Sequence, residues 1–430
     1  MRNGALLAAL AIGAAAIAGC GGGGGASGYR PVNPDAAVFW DRQTTETAAL
    51  LQDIVTAFNA QYDGMPIRVE RAGGYEDIHR KVLASLRAGV VPALAVGYPN
   101  TTMEYVRADA VVALDEFIHD PAHGFTEADL ADFYPATLEM NRYPQFGGRM
   151  YSFPFAKSVL MLYFNRAILR AAGIEAPPAT WDEFLAQCRQ VKEKTGKYAY
   201  AIDVDCSTFN GMMLSMGGEV YADGQTLYDS PAAVRAFRLY QTLAREGVAY
   251  QIAGGYDDDI ALTQGAVAFT MRSSAASSGI ADVMKVRMDE WGMARIPQDD
   301  PARPATVLYG PNFVLFKTTP EQQRAAWAFI KYFTSVENSA RWTLDTGYLP
   351  VRKAAAAHPE VQRLWAEKPY RKVTFECLPF ARPEPNAPGW HEVRDLVERA
   401  LADVIAGRLD AEAAAARLKR DADTALQERK

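Results

Sequence analysis

The chain has 430 residues, of which 49% are hydrophobic and 22% charged, and its formal net charge is −6. This length allows about two or three domains with sizeable buried cores. The sequence contains no long block of Lys or Arg. The basic stripe typical of nucleic-acid-binding proteins is therefore missing, and we expect no nucleic-acid partner.

The N-terminus has the pattern of an export signal. Arg2 precedes an apolar run at residues 5–18, which is too short to span about 30 Å of hydrocarbon comfortably. The run ends in I-A-G-C at residues 17–20 and is followed by five glycines. This ending resembles the lipobox of bacterial lipoproteins. We expect residues 1–19 to be a signal peptide, Cys20 to carry the lipid and residues 20–34 to form a flexible tether. The alternative is an ordinary secretory peptide with an incidental Cys.

The other cysteines are Cys188, Cys206 and Cys377, an odd number without C-x-x-C spacing. This pattern argues against a disulfide scaffold and against a zinc site. At most one bridge can form, and we expect buried free thiols. We expect neither a metal nor a cofactor.

Strands and helices alternate along the chain. Apolar or alternating runs at 36–40, 66–70 and 92–96 predict strands, and helical spacing of apolar residues at 44–60 and 75–88 predicts the helices between them. Further strands are predicted at 159–164, 265–271 and 313–316. Such alternation is typical of an α/β fold with a mostly parallel sheet.

Local signals mark several helix ends. Thr180 and Glu183 have the spacing of a capping box, and so do Thr319 and Gln322. Gly347 follows a predicted helix at the position where a left-handed residue is expected.

Motifs spread over nearly the whole mature chain carry a family resemblance. They are V-F-W at 38–40, G-Y-E at 74–76, A-G-V-V-P at 88–92, Y-F-N at 163–165, G-A-V-A at 265–268, A-W to Y-F at 326–333, T-G-Y-L-P at 346–350 and E-V-R at 392–394. Together with the lipobox, they resemble the extracellular solute-binding proteins of ATP-binding-cassette importers. The similarity is to the broad group that binds sugars and glycerol-3-phosphate.

This resemblance implies two α/β lobes in the type II arrangement of maltose-binding protein, joined by three chain crossovers with the ligand between them. The crossovers are expected near 155–158, 306–310 and 348–353, where Gly, Pro or Ser can absorb a hinge movement. The expected lobes are an N-lobe of residues 35–156 and 306–347 and a C-lobe of residues 157–305 and 348–430.

A predicted helix near the C-terminus carries the clearest candidate ligand residue. Trp390, Arg394, Val397 and Leu401 share one face of this helix. Arg394 should therefore be partly buried and needs an anionic or carbonyl partner. Its partner is either a structural carboxylate or a ligand anion.

The resemblance adds further candidates. In the glycerol-3-phosphate branch, phosphate is contacted by the positions matching Arg394, Tyr348, Gly310, Ser158 and Ser274. A ligand-contacting tyrosine of the branch matches Tyr75. All these groups donate hydrogen bonds, which suits a phosphoryl group. As alternatives, Tyr348 is a half-buried hinge aromatic and Ser274 is an ordinary turn residue among neighbouring serines.

The chain departs from that branch on the polyol side. Pro99 stands where the branch has a carboxylate, and Phe209 is the one aromatic residue where the branch has stacking tryptophans. Phe209 is therefore the expected stacking residue, with Asp205 or Asn210 as polar contacts. We expect a sugar, a sugar phosphate or a solute of the glycerol-3-phosphate or glycerophosphodiester type.

The resemblance implies capture without chemistry, by a monomer outside the cytoplasm and anchored to the membrane by lipid. Its partners would be permease subunits powered by an ATPase pair. The main alternative is a secreted, lipid-anchored carbohydrate-active enzyme, because two catalytic carboxylates need meet only in space. The sequence has neither G-x-S-x-G nor H-E-x-x-H. A second alternative is an adhesion or scaffold module without an enclosed cleft.

Overall fold

The structure is a computed structural model that describes residues 28–43, 45–255, 257–283 and 290–428. The predicted signal peptide, Cys20 and residues 21–27 of the predicted tether lie outside the described residues. The prediction that the tether extends to residue 34 is wrong, because Arg30 and Pro31 form a strand that pairs with Val90 and Val91. The strands are β1 (Arg30–Pro31), β2 (Ala37–Asp41), β3 (Ile67–Arg71), β4 (Val90–Val91), β5 (Leu94–Gly97), β6 (Arg142–Tyr143), β7 (Arg149–Met150), β8 (Phe153–Pro154), β9 (Ser158–Asn165), β10 (Tyr198–Ile202), β11 (Tyr221–Ala222), β12 (Gln225–Thr226), β13 (Ala249–Gln251), β14 (Val267–Ser273), β15 (Trp291–Arg295), β16 (Thr306–Tyr309), β17 (Asn312–Leu315) and β18 (Ala381–Pro383).

The helices are α1 (Thr45–Asn59), α2 (Tyr75–Arg87), α3 (Pro99–Arg107), α4 (Asp115–Ile118), α5 (Glu127–Asp132), α6 (Pro135–Glu139), α7 (Arg166–Ala171), α8 (Trp181–Thr195), α9 (Cys206–Ser215), α10 (Pro231–Arg245), α11 (Asp257–Thr263), α12 (Ser277–Val283), α13 (Pro320–Phe333), α14 (Val336–Asp345), α15 (Lys353–Ala356), α16 (Pro359–Glu367), α17 (Pro369–Glu376), α18 (Trp390–Ile405) and α19 (Ala411–Glu428). Short 3₁₀ turns lie at Pro144–Phe146, Ser274–Ala276 and Leu378–Phe380.

Two sheets divide the chain into two lobes. A five-stranded sheet has the order β3-β2-β5-β17-β8, and a seven-stranded sheet has the order β13-β10-β14-β9-β16-β18, with β15 also paired to β9. We call the part around the first sheet the N-lobe and the part around the second the C-lobe. Each lobe has its own apolar core, in which helices pack on the sheet. This architecture confirms the predicted two-lobed α/β fold.

Three crossovers connect the two lobes. The chain leaves β8 and enters β9 through residues 155–157. Residues 306–309 were expected in the N-lobe, but β16 pairs with β9 and β18 of the C-lobe. The second crossover is therefore Gly310–Pro311. At the third, Leu349 already packs with C-lobe residues, Val351 packs in the N-lobe core, and α17 then packs against β15 of the C-lobe. This crossover is longer than the sequence indicated.

Two glycines are required where the crossovers pass close to other backbone. Gly310 has φ +121°, and a Cβ there would lie 2.0 Å from the carbonyl oxygen of Ala156. The prediction that Gly347 is left-handed is wrong, because Gly347 is not among the positive-φ glycines and Thr346 ends α14 in an extended conformation. A Cβ on Gly347 would instead lie 2.6 Å from the Cα of Ala275. Its small size, rather than its φ, fits this position.

The two predicted capping boxes have different outcomes. At α8, Thr180 accepts from the Glu183 amide and Glu183 accepts from the Thr180 amide, so the box is complete. At α13, Thr319 accepts from the Gln322 amide, but the Gln322 side chain donates to the carbonyl oxygens of Asn33 and Ala36. The second box is therefore only half formed, because this buried amide ties α13 to the start of the N-lobe.

The three cysteines within the described residues are buried free thiols, as expected. No helix in the described part of the chain combines the length and apolar character needed to cross a membrane.

Candidate functional site

A cleft between the lobes contains two adjoining cavities. The smaller, of about 200 Å³, lies against the first turns of α9 and α18. The larger, of about 460 Å³, lies against the crossovers and the 3₁₀ turn after β14. Tyr98, Arg272, Ser273 and Tyr309 line both cavities. The two cavities therefore form one continuous cleft.

The strand directions explain why these residues meet. In the C-lobe, β10, β13 and β14 run parallel, whereas β9 runs antiparallel to β14 and β16. In the N-lobe, β2, β3 and β5 run parallel and β17 is antiparallel to β5. Residues at the carboxyl ends of the parallel strands line the cleft, together with residues at the start of β9 and just before β17. This is the edge at which open α/β sheets bind ligands.

Four of the predicted ligand residues line the larger cavity. They are Tyr75, Ser158, Gly310 and Tyr348. The ring of Tyr75 packs on that of Tyr98 with 4.7 Å between centroids. Burial raises the pKa of both Tyr75 and Tyr348. Their hydroxyls therefore stay protonated at neutral pH and are available as donors.

Two predicted ligand residues do not line the cleft. Phe209 is fully buried in the C-lobe core, where its ring packs on Phe237 with 4.5 Å between centroids. Its neighbours Ser207 and Thr208 face the smaller cavity instead. Ser274 is also buried, and its hydroxyl accepts from the Val159 amide at 3.3 Å. The adjacent Ser273 lines the cleft in its place, because neighbouring residues at the end of a strand point to opposite sides.

Arg394 has carboxylate partners from its own lobe. Its Nη1 donates to Glu384 at 2.6 Å and to the Ser207 hydroxyl at 2.9 Å, and its Nη2 lies 3.4 Å from Asp205. Burial opposes the charge of this guanidinium, but the carboxylates, Glu384 first, raise the pKa of Arg394 well above its ordinary value. Of the two partners left open by the sequence, the structure shows the carboxylates. Asn210 is buried behind them and also donates to Glu384 at 2.8 Å.

The cleft also contains charged residues that the sequence reasoning missed. Asp203 lines the smaller cavity and has neither a hydrogen bond nor an ion pair with any described residue. Burial, followed by repulsion from Asp205 and Asp258, raises the pKa of Asp203 to about 6. Arg42 lines the larger cavity, with its guanidinium 4.7 Å from the ring centre of Tyr75. Both residues closely follow a parallel strand, and that position is the signal by which they could have been found.

The wall between the two cavities is an internal ion-pair cluster. Arg272 pairs with the fully buried Asp258 and lies 3.5 Å from Asp259. Burial raises the pKa of Asp259 to about 7, although Arg272 opposes that shift. No group of three His, Cys, Asp or Glu side chains within the described ranges is arranged to hold a metal ion.

Comparison with known proteins identifies the family. Residues 53–369 match the model of the bacterial extracellular solute-binding proteins. The chain belongs to this family. Its members are binding proteins, which agrees with the prediction that the chain is not an enzyme.

Individual solute-binding proteins agree with this assignment over most of their length. A putative binding protein from Brucella abortus is 24% identical over 376 residues, covering 85% of this chain and 87% of that protein. The sn-glycerol-3-phosphate-binding periplasmic protein UgpB of Pectobacterium atrosepticum is 22% identical over 390 residues, covering 86% of each.

Solved structures show the same fold. UgpB from Mycobacterium tuberculosis, in complex with glycerophosphocholine, matches with a TM-score of 0.82 at 22% identity, over 92% of this chain and 99% of that one. The GacH receptor of Streptomyces glaucescens, solved unliganded and with acarbose, matches with a TM-score of 0.79 at 20% identity, over 93% of this chain and 100% of that one.

Proposed function

We propose that this solute-binding protein captures a sugar, a sugar phosphate or a solute of the glycerophosphate type between its lobes and delivers it to an ATP-binding-cassette permease. The observation that carries the proposal is the continuous cleft, whose two cavities share Tyr98, Arg272, Ser273 and Tyr309. The substrates named for its relatives are of this class: glycerol-3-phosphate for UgpB, and glycerophosphocholine and acarbose in the two solved structures.

The chemistry of the two cavities favours one orientation of such a solute. The larger cavity offers the guanidinium of Arg42 and the hydroxyls of Tyr75 and Tyr348 as donors, and Gly310 also lines it. The smaller cavity offers the acceptor Asp203 beside the Arg394 cluster. An anionic phosphoryl group suits the first end, and hydroxyl or ammonium groups suit the second. We therefore place the phosphoryl end in the larger cavity, where donors from both lobes line the cleft, and not in the smaller cavity beside Asp203.

Titration calorimetry with glycerophosphocholine, glycerol-3-phosphate and maltose tests this function. We expect phosphorylated solutes to bind more tightly than maltose. Arg42→Gln should weaken the binding of the phosphorylated solutes by about tenfold or more, because a charged hydrogen bond is lost. Arg394→Gln is the matched comparison. It should change the ratio of the affinities for phosphorylated solutes and for maltose less than Arg42→Gln does. Tighter binding of maltose to a folded protein would contradict the phosphate orientation, and no binding of any of the three would contradict the proposed solute class.

The membrane attachment is a separate part of the proposal. A lipid on Cys20 would hold a monomer beside its permease, with the residues between Cys20 and β1 as the tether. Metabolic labelling with a fatty acid should mark the wild-type chain, and Cys20→Ala should abolish the label and release the protein in soluble form. Unchanged labelling in Cys20→Ala would contradict the lipid site.

A further inference from the structure

A buried lysine lies where the three crossovers meet. Lys157 is fully buried between β8 and β9. Its Nζ donates at 3.0 Å to the carbonyl oxygens of both Gly310 and Pro311, and also to the side-chain oxygen of Asn312. These three acceptors belong to the second crossover and to the strand that follows it. One side chain therefore connects the first crossover to the second.

The backbone of the same lysine reaches the third crossover. The carbonyl oxygen of Lys157 accepts from the Leu349 amide at 2.7 Å. Each connected segment contains or adjoins a candidate ligand residue: Ser158 follows Lys157, Gly310 is itself an acceptor, and Tyr348 precedes Leu349. The lysine is thus linked to all three crossovers, each of which contributes a residue to the lining of the larger cavity.

The environment of Lys157 is unusual for a structural lysine. A buried ammonium is normally paired with a carboxylate, and none of the ion pairs within the described residues involves Lys157. Burial lowers its pKa well below the ordinary value. The three oxygen acceptors nevertheless match the three donors of an ammonium group. Burying the amine of Lys157 costs free energy, and an apolar side chain at this position would make no hydrogen bond to the second crossover.

We propose that Lys157 is a positioning residue that holds the three crossovers in register and so sets the relative position of the two lobes. Hinge closure is a rotation about the segments that join two domains. Hydrogen bonds between the crossovers restrict this rotation, whereas hydrogen bonds within one lobe do not. The positions of the candidate ligand residues on the crossovers and the relative positions of the two lobes therefore both depend on the hydrogen bonds of this amine.

Spin-label distances in the full chain test this directly and require no solute. Labels are attached to Arg87→Cys on α2 and Arg399→Cys on α18, two exposed helix positions in different lobes. The Cys20→Ala background removes the lipid site, and the native thiols at 188, 206 and 377 are buried. We expect Lys157→Met to broaden the interlobe distance distribution about twofold.

A matched control removes the same kind of bond within one lobe. Lys331 on α13 donates to the carbonyl oxygens of His123 at 2.8 Å and Gly124 at 2.6 Å, both in the N-lobe. Lys331→Met should leave the distribution as in the wild type. If Lys157→Met does not fold, Asn312→Leu removes one acceptor only and should broaden the distribution to a smaller extent.

The outcomes separate a hinge role from a purely structural one. Broadening in Lys157→Met or Asn312→Leu, with an unchanged Lys331→Met, supports the proposal. A wild-type distribution in the folded Lys157 or Asn312 variant overturns it, even if unfolding occurs at lower temperature. Equal broadening in Lys331→Met also overturns it. Because the measurement uses unliganded protein, failure of the proposed solute would leave this result standing.

Discussion

Arg394 and Glu384 form an ion pair on the wall of the cleft, with 2.6 Å between Nη1 and Oε2. The guanidinium comes from the second turn of α18, and the carboxylate directly follows β18. Asp205 lies on the other side of Arg394, so two carboxylates surround one cation. Removing the cation therefore leaves like charges facing each other in a partly buried site.

This arrangement predicts that Arg394→Ala destabilises the fold. We expect the free energy of unfolding to fall by about 2–3 kcal/mol, since Glu384 loses its charged partner. Urea denaturation measures the change. The control is Arg363→Ala, because Arg363 pairs with Glu360 on the surface and should cost less than about 1 kcal/mol. Equal losses in the two variants would show that the cleft ion pair has no special role.

Asp203 should make stability depend on pH. Its pKa is raised from 3.8 to about 6 in the folded state. Between these values the folded state binds more protons than the unfolded state, so this group lowers stability as pH rises from about 4 to about 6. Asp203→Asn should therefore raise the free energy of unfolding at pH 7 by about 1–2 kcal/mol and change it little at pH 3.5.

Denaturation at the two pH values tests the prediction. Asp395→Asn, at an exposed position on α18, is the control and should stay within about 0.5 kcal/mol of the wild type at both. A loss of stability in Asp203→Asn at pH 7 would mean that the carboxylate has a favourable partner after all.

The close approach at Gly347 should make this position intolerant of a methyl group. Gly347→Ala places a Cβ 2.6 Å from the Cα and the carbonyl oxygen of Ala275, so backbone must move. We expect a loss of about 1–3 kcal/mol, as overpacking typically gives. In Gly279→Ala on α12, a Cβ meets nothing within 4 Å. That variant should gain about 0.5–1 kcal/mol from helix propensity. Thermal unfolding distinguishes the two, and a neutral Gly347→Ala would contradict the proposed contact.

The sequence predicted the lobes better than the residues that line the cleft. Strand and helix periodicity, together with the family motifs, gave the two α/β units because each element repeats its pattern over many residues. The cleft depends on single positions. Ser273 and Ser274 are neighbours in a run of similar residues, and a shift of one residue decides which hydroxyl faces the ligand.

Phe209 and Arg42 show two other limits. An aromatic residue in the first turn of α9 suggested a stacking platform, but the helix turns that ring into the core beside Phe237. Arg42 belongs to none of the motifs that carried the family resemblance. Its position after β2 becomes informative only when the strand order shows which sheet edge faces the cleft.

The central claim is that one continuous cleft between the lobes binds the solute. Calorimetry with glycerophosphocholine on wild type and Ser273→Trp tests this most directly, because Ser273 lines both cavities and the indole would fill the junction. Lys194→Trp, at an exposed position on α8 outside both cavities, controls for the added aromatic group. We predict that Ser273→Trp weakens binding by about a hundredfold or more while Lys194→Trp binds as the wild type does. Unchanged affinity in a folded Ser273→Trp would contradict the account.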